Sequence, residues 1–344
     1  MSDKNAGNLP ERPHGHEYPR FEGISTFARL PHTQQLDGVD AAIFGVPFDG
    51  GTSFRPGARF GPQGIRQGSR LIRSYNYTLD VEPLEGLTVI DYGDLAVVPT
   101  HIEDTYAMVE KQAAVFHDSG VFPVALGGDH SVTLPLLRAS AAKHGRMSLV
   151  QVDSHPDTWE TLYGKPYNHA TVFKRAIEEN LIDPTTSFQI GLRGSLPNRD
   201  DFERTRGYGI TIVTVEDLFA RGAEDVASEV LRRVGPEVYF TFDIDFVDPA
   251  YAPGTGTPEV GGPSSRQAID LLRELRGLPL VGFDVVEVSP PYDQSEITAM
   301  LAANVVFEAL SMVAWQRNHR EVEHPDDNVI IYPKRLRESG GAKG

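Results

Sequence analysis

Three short stretches of this sequence crowd acidic residues and histidines directly behind apolar runs. They are Gly127-Gly128-Asp129-His130-Ser131 after VFPVAL, Asp153-Ser154-His155-Pro156-Asp157 after SLVQV, and Asp243-Ile244-Asp245-Phe246-Val247-Asp248 after VYFTF. A single histidine behind a strand is usually a plain hydrogen-bonding residue, and one D-x-D recurs by chance. Together, however, the stretches supply His130, Asp153, His155, Asp157, Asp243 and Asp245. Extended chain sends every second side chain to the same side, which would align Asp153, His155 and Asp157, and separately Asp243 with Asp245. Carboxylates gathered behind an apolar strand are costly to bury unless a cation sits among them. Asp248 is expected to cap or brace the turn before Pro249.

These six side chains are the right inventory for two divalent cations. Two dications ~4 Å apart repel by about 16 kcal/mol at an effective dielectric near 20, so carboxylates must bridge them. The aspartates at 153, 157, 243 and 245 roughly cancel the positive charge, leaving a near-neutral site able to hold one hydroxide. The chain has no cysteine, which excludes disulfides, thiolate nucleophiles and zinc–sulfur sites. Hard oxygens and imidazoles suit Mn²⁺, and permit Ni²⁺, Co²⁺ or Zn²⁺.

The elements that must position these residues alternate. Strands are predicted over 41–46, 87–90, 121–126, 148–152, 187–192, 210–214, 238–242 and 280–283. Helices are predicted over 103–118, 131–143, 170–180, 215–219, 223–233, 265–276 and 295–315. Several strands are near-continuous apolar runs, the mark of a parallel sheet covered on both faces. The pattern predicts a three-layer α/β architecture. In such sheets the working residues lie just past the carboxyl ends of strands, where all three clusters fall. Gly127 and Gly128 would allow a tight turn, and Ser131 could cap the next helix.

One α/β domain is expected over 21–316. A flexible N-terminal segment, 1–20, precedes it, and a charged C-terminal extension, 317–344, follows; within the extension only 328–333 (NVIIYP) could form a short strand. Hydrophobic residues at 40% and charged residues at 23% suit a globular chain. Acidic residues outnumber basic ones 48 to 32, for a net charge of −16. That balance argues against a nucleic-acid backbone or an anionic membrane as partner and fits a cationic small-molecule substrate. The first twenty residues hold no apolar run that could serve as a signal peptide. The stretch 301–315, interrupted by Asn304 and Glu308, falls short of a membrane span. A cytoplasmic location is expected.

With its clusters in this order the chain resembles the ureohydrolase family of arginases, agmatinases and guanidino-acid hydrolases. The matching segments are GGDHS at 127–131, DSHPDT at 153–158, DIDFVDPAYAPGTGTPE at 243–259 and GFDVVEVSPPYD at 282–293. Two weaker matches, PRFEGISTFARLP at 19–31 and GVPFDGGTSFRPGARFGP at 45–62, are agmatinase-like. The resemblance spans about 19–315. It implies an eight-stranded parallel α/β sandwich, commonly assembled as a homo-oligomer (trimer or hexamer). It also implies one cation on His130, Asp153, Asp157 and Asp243 and another on Asp153, His155, Asp243 and Asp245, with Asp153 and Asp243 as bridges.

The implied activity is hydrolysis of an agmatine-type or guanidino-acid-type compound to urea plus amine. Two metals lower the pKa of a shared water from about 15.7 towards about 7. Asp157 would accept that water's hydrogen bond. Glu287 corresponds to the guanidinium-binding glutamate, and His169, in YNHAT, to a proton-shuttling histidine, unless it merely caps the helix behind it. Family members usually follow that histidine with Gly, where this chain has Ala170; after Pro258-Glu259 it has Gly261-Gly262-Pro263. Trp159, Tyr163 and Tyr167 could stack on a planar cation or simply pack the loop. Ala170, Trp159 and Tyr167 therefore join Glu287 and His169 as substrate-binding candidates, and a small or N-alkylated guanidine, or a biguanide, is the alternative substrate. Two other classes stand beside this reading. One is a metal-bearing regulatory subunit partnered with a paralogue in a hetero-oligomer. The other is a one-metal amide deacetylase, against which His155 and Asp245 speak.

Overall fold

The computed structural model describes Arg12 and residues 18–320 of the 344-residue chain. Eight strands are present: β1 Ala41–Val46, β2 Val89–Asp94, β3 Phe122–Gly127, β4 Ser148–Val152, β5 Phe188–Leu192, β6 Thr211–Thr214, β7 Val238–Asp243 and β8 Leu280–Val286. They form one sheet in the order β2-β1-β3-β8-β7-β4-β5-β6, and every pairing is parallel. The helices are α1 Gly61–Gly68, α2 Pro83–Gly86, α3 Ile102–Asp118, α4 Thr133–His144, α5 Val172–Glu178, α6 Asp201–Gly207, α7 Val215–Arg221, α8 Ala223–Arg233, α9 Ser265–Glu274 and α10 Ile297–Arg320.

Strand residues alternate between two buried clusters. Ile43, Leu126, Val150 and Phe240 face one side with α1, α8, α9 and α10; Phe44, Ala125, Leu149 and Tyr239 face the other with α3, α4 and α5. Both faces are apolar because both are covered, which is why the strands read as unbroken runs. The three-layer sandwich is as expected.

Two strands run further than their apolar stretches. β2 continues past Ile90 to Asp94 because Arg66 on α1 forks onto the buried Asp91 (2.8 and 3.0 Å), satisfying its carboxylate, and reaches the exposed Asp94 at 2.6 Å. β8 continues through Asp284 to Val286 because three hydroxyls, from Thr133, Tyr239 and Thr241, donate to that aspartate. Helices α1, α2 and α6 were not expected. α1 is glycine-rich with Pro62 in its first turn, and α6 is mostly charged, so neither displays an apolar stripe.

Helix α10 corrects the membrane argument made from 301–315. It is long and apolar enough by length and composition to cross a membrane, and 72% of its most apolar stretch is buried in the protein, against α1 and α9 among others. The 328–333 stretch lies outside the described residues. Within 1–20, Arg12 is fixed to the domain: it donates to Ala28 O at 2.8 Å, Ser74 Oγ at 2.9 Å and Ile72 O at 3.1 Å.

Candidate metal centre

The sheet order explains why distant parts of the sequence meet. β3, β8, β7 and β4 are consecutive neighbours in the middle of the sheet. Their carboxyl ends deliver His130, Glu287, Asp243 with Asp245, and Asp153 to Asp157, in that order. The double glycine after β3 serves close approach rather than a special turn. A Cβ on Gly128 would sit 1.7 Å from Phe48 O, and neither Gly127 nor Gly128 has a left-handed φ. The cap of the following turn is Asp129, whose Oδ1 accepts from Ser131 N at 2.9 Å, not Ser131 itself.

Asp153, His155 and Asp157 converge for a reason other than strand periodicity. The chain leaves β4 at Val152, and Asp157 takes a left-handed φ of 48°. Such a conformation in a non-glycine residue is strained and persists only where its surroundings hold it. The result is a shell of carboxylates around His130: its Nδ1 lies 3.1 Å from Asp153 Oδ2, 3.1 Å from Asp157 Oδ2 and 3.2 Å from Asp243 Oδ2. A second group lies beside it, with His155 Nδ1 3.0 Å from Asp245 Oδ2 and 3.7 Å from Asp153 Oδ1. In each of the sets His130–Asp153–Asp157 and Asp153–His155–Asp245, the ligating atoms lie within 4.8 Å of one another, and Asp153 belongs to both.

Whether these residues fit a cation can be read from the tautomer of His130. Thr241 donates its hydroxyl hydrogen to Asp284 Oδ1 at 2.5 Å. Its oxygen must therefore accept from His130 Nε2–H at 2.9 Å. A neutral His130 would then turn the lone pair of Nδ1 toward three carboxylate oxygens 3.1 to 3.2 Å away. Only a positive charge in their midst makes that arrangement favourable, and a hydrogen-bonded chain behind the ring is the usual support of a metal-ligating histidine.

The electrostatics agree. Burial, and then the charges of Asp245 and Asp157, push Asp153 up to about 7. Burial, with Asp245 and Asp153, drives Asp243 well above the carboxylate range. For His130 burial opposes the charge, but hydrogen bonds to Asp153, Asp157 and Asp243 outweigh it and raise the imidazole well above its ordinary value. His155 is raised likewise, burial being outweighed chiefly by Asp245. Asp245 goes the other way: burial resists, and His155 and Ser154 prevail and hold it below the usual range. The cluster as a whole demands cationic charge, from protons or from metal.

A cavity of about 130 Å³ opens onto this cluster, lined by His155, Asp157, Asp243, His169, Ala170 and Trp159 among others. Glu287, at the end of β8 with φ 63°, is buried beside it. Its Oε1 accepts from His130 N at 2.9 Å and lies 3.0 Å from His169 Nδ1, while Oε2 is buried with no partner. His169 Nε2 lies 2.7 Å from Ser53 Oγ, completing a Glu287–His169–Ser53 chain. Burial disfavours a charged His169, yet the Glu287 hydrogen bond and charge, helped by Asp157 and Asp129, lift it to about 9.

Ala170 lies in the short turn His169–Thr171, where Asn168 Oδ1 accepts its N–H at 3.0 Å and its carbonyl accepts from Trp159 N at 3.0 Å. Its φ is not left-handed, so the methyl costs no backbone strain and only narrows the cavity. Trp159 lines the wall and donates Nε1–H to Asp201 Oδ2 at 3.2 Å. Tyr167 corrects an expectation: its ring packs edge-on against Tyr106 at 5.5 Å, in the core on the α3 side, and is not among the cavity-lining residues. Tyr163 is exposed.

Ser53, Asp201 and Arg193 are cavity residues that sequence reasoning missed. Ser53 lay inside the segment 45–62, whose resemblance could have flagged it. No signal marks Arg193. Its donors go to backbone carbonyls alone: Nε to Val260, Nη1 to Gly191 and Phe246, Nη2 to Asp245 and Glu259. It thereby ties the Asp245 turn to the 259–262 loop, which Asp248 braces by accepting from Gly261 N at 2.8 Å and Gly262 N at 3.1 Å.

Similarity to known proteins accords with this geometry. The arginase family matches residues 39–312. The chain is 44% identical to a guanidinobutyrase of Pseudomonas aeruginosa over 310 residues, covering 89% of this chain and 97% of that protein. It is also 44% identical to a guanidinopropionase of the same organism over 300 residues, 87% of this chain and 94% of that one. Among solved structures, proclavaminate amidinohydrolase from Streptomyces clavuligerus superposes with a TM-score of 0.83 at 41% identity, covering 87% of this chain and 99% of that chain. By sequence and by fold, this chain belongs to the arginase family.

Proposed function

We propose that the chain hydrolyses a C–N bond of a guanidino compound to urea and an amine, with two divalent cations seated in the aspartate–histidine cluster. The observation that carries this reading is His130 Nδ1 facing three carboxylate oxygens, with Asp153 shared between that group and the one around His155. One cation would be held by His130, Asp153, Asp157 and Asp243, the other by Asp153, His155, Asp243 and Asp245. Oxygen and imidazole donors suit Mn²⁺ first and Ni²⁺ as the main alternative. When bound, such a pair supplies a water acidic enough to ionise near neutral pH.

The remaining steps belong to the chain. Glu287 Oε2 takes an N–H of the guanidinium, offsetting its charge and fixing its plane for attack. Asp157 accepts the hydrogen bond of the attacking water and aims it. His169 delivers a proton to the leaving amine, its ring oriented by Glu287 on one side and Ser53 on the other. His169→Ala is expected to keep its metal and lose roughly 10²- to 10⁴-fold in kcat. An unchanged kcat at equal metal content removes the shuttle role.

The relatives named guanidinobutyrase and guanidinopropionase favour a guanidino acid. A small or N-alkylated guanidine, or a biguanide, is the second reading. Arg193 is the one lysine or arginine lining the described cavity, and its donors are already engaged, while Ala170 and Leu162 narrow the space. Urea and amine release from 4-guanidinobutyrate, 3-guanidinopropionate, agmatine, methylguanidine and biguanide, with the Mn²⁺- and Ni²⁺-loaded protein, decides between the two. Activity of the purified single chain also separates an enzyme from a regulatory subunit. Ala170→Gly should shift kcat/KM toward guanidino acids over small guanidines by about tenfold, the usual worth of one methyl group in a pocket. An unchanged ratio would show that the methyl sets no preference.

A further inference from the structure

The GGDHS motif contains one carboxylate that the proposed chemistry leaves idle. Asp129 is fully buried, and both of its oxygens accept main-chain N–H groups, Oδ1 from Ser131 at 2.9 Å and Oδ2 from Gly51 at 2.7 Å. Capping the turn after β3 needs only the first of these, and asparagine or serine caps as well as aspartate does. A carboxylate is required because a second donor arrives from a distant part of the chain, and an amide would turn its own N–H toward one of the two.

That second donor belongs to the segment that carries Ser53. The grip is double: Asp129 N donates to Phe48 O at 2.8 Å, while the carboxylate holds Gly51 N. Gly51 passes the constraint on. Its carbonyl accepts from His169 N at 3.2 Å, and two residues later Ser53 Oγ meets His169 Nε2 at 2.7 Å. Gly51 has no left-handed φ, so a side chain there would cost space rather than strain: a Cβ would lie 2.9 Å from Ser131 Oγ and 3.0 Å from Asp129 Oδ2. The rest of the motif holds the other partner of His169. Gly128 O accepts from Glu287 N, and His130 N donates to Glu287 Oε1, both at 2.9 Å. Residues 128–130 thus fix both groups that orient the His169 ring.

We propose that Asp129 is a positioning residue for His169: by clamping the Gly51 amide it sets where Ser53 meets the imidazole. The role rests on the hydrolase reading above, in which His169 hands a proton to the leaving amine. Asp129 is not among the residues lining the cavity, so its influence passes through the 49–53 segment. Proton transfer needs its partners in register, and a displacement of about 1 Å costs up to roughly 100-fold in rate.

Asp129→Asn keeps the size of the side chain and sets an N–H group against Gly51 N or Ser131 N, whichever way the amide turns. At the wild type's metal content, kcat for guanidine hydrolysis should fall roughly 10- to 100-fold while KM changes little. In a His169→Ala background the same substitution should cost less than about twofold, because the group it positions is gone. Gly51→Ala, which crowds the clamp from its other side, should behave alike, and it decides alone should Asp129→Asn fail to fold or lose metal. A second readout needs no catalysis. Carbethoxylation of His169 by diethyl pyrocarbonate, followed by peptide mass spectrometry, should quicken about fivefold in Asp129→Asn, Gly51→Ala and Ser53→Ala, the worth of one hydrogen bond. His117, buried between α3 and α4, should react as slowly as in the wild type, which separates a freed ring from a loosened fold. An Asp129→Asn penalty that multiplies undiminished into the His169→Ala protein overturns the proposal, as does unchanged His169 labelling in both Asp129→Asn and Gly51→Ala. A wild type that releases urea from no guanidine overturns the hydrolase reading instead, and the labelling comparison still decides the clamp.

Discussion

Asp153→Asn and Asp243→Asn are each expected to lower urea release by roughly 10³-fold or more, since losing a bridging ligand would forfeit several kcal/mol of electrostatic stabilisation. Elemental analysis of either variant should find fewer than two metal ions per chain. The larger loss is expected at Asp153. Its two oxygens face different imidazoles, Oδ2 toward His130 at 3.1 Å and Oδ1 toward His155 at 3.7 Å. The amide removes a negative charge where the cluster needs it and also brings N–H groups of its own. Gln151 Nε2 already donates to Oδ2 at 2.6 Å and His155 N to Oδ1 at 2.7 Å, so either orientation of the asparagine sets donor against donor. A variant of either bridge that keeps two metals and full rate removes the assignment.

Removing the metal makes the protein less stable, and more so as pH rises. Asp153 moves from an ordinary 3.8 to about 7, and Asp243 is raised too, so between those values the metal-free folded state holds protons that the unfolded chain has released. Folding stability then falls as pH rises across that interval. His130, His155 and His169 act in the same direction: raised in the fold, they add stability that is fully present below about 6.5, and His169's share is lost as pH climbs through about 9. Asp245 is lowered, and its contribution is lost only in acid. Chelated protein should therefore melt at progressively lower temperature from pH 5 to pH 8. Metal-loaded protein should melt roughly 5 °C or more higher at saturating metal, with a flatter pH profile. Calorimetry with and without chelator measures both, and identical pH profiles would show that the cluster does not depend on a cation.

The sheet could be read in the sequence because each of its strands is buried on both faces and so is written in apolar residues. The same logic hid what lay beyond those runs. β2 and β8 appeared to stop where Asp91 and Asp284 interrupt the pattern, although Arg66 and three hydroxyls make those carboxylates admissible inside. The six clustered ligand candidates were legible because their residue types announce a charge problem. Strand periodicity predicts their convergence, but it follows instead from the order β3-β8-β7-β4 and a left-handed Asp157. Ser53 and Arg193 were not legible: one acts through a histidine more than a hundred residues away in sequence, the other through main-chain carbonyls, and neither leaves a pattern of residue types. Tyr167 shows the converse, since an aromatic in a site loop is equally suited to the core and here lies there.

Arg193 bears the chemical group that the proposed reaction destroys, and it stands in the wall of the chamber where the destruction would occur. A guanidinium offers five N–H bonds, and each of Arg193's finds an oxygen of the protein's own main chain. None is left over to court Glu287. An enzyme for cleaving guanidines can thus build with arginine beside its own reactive centre without becoming its own inhibitor.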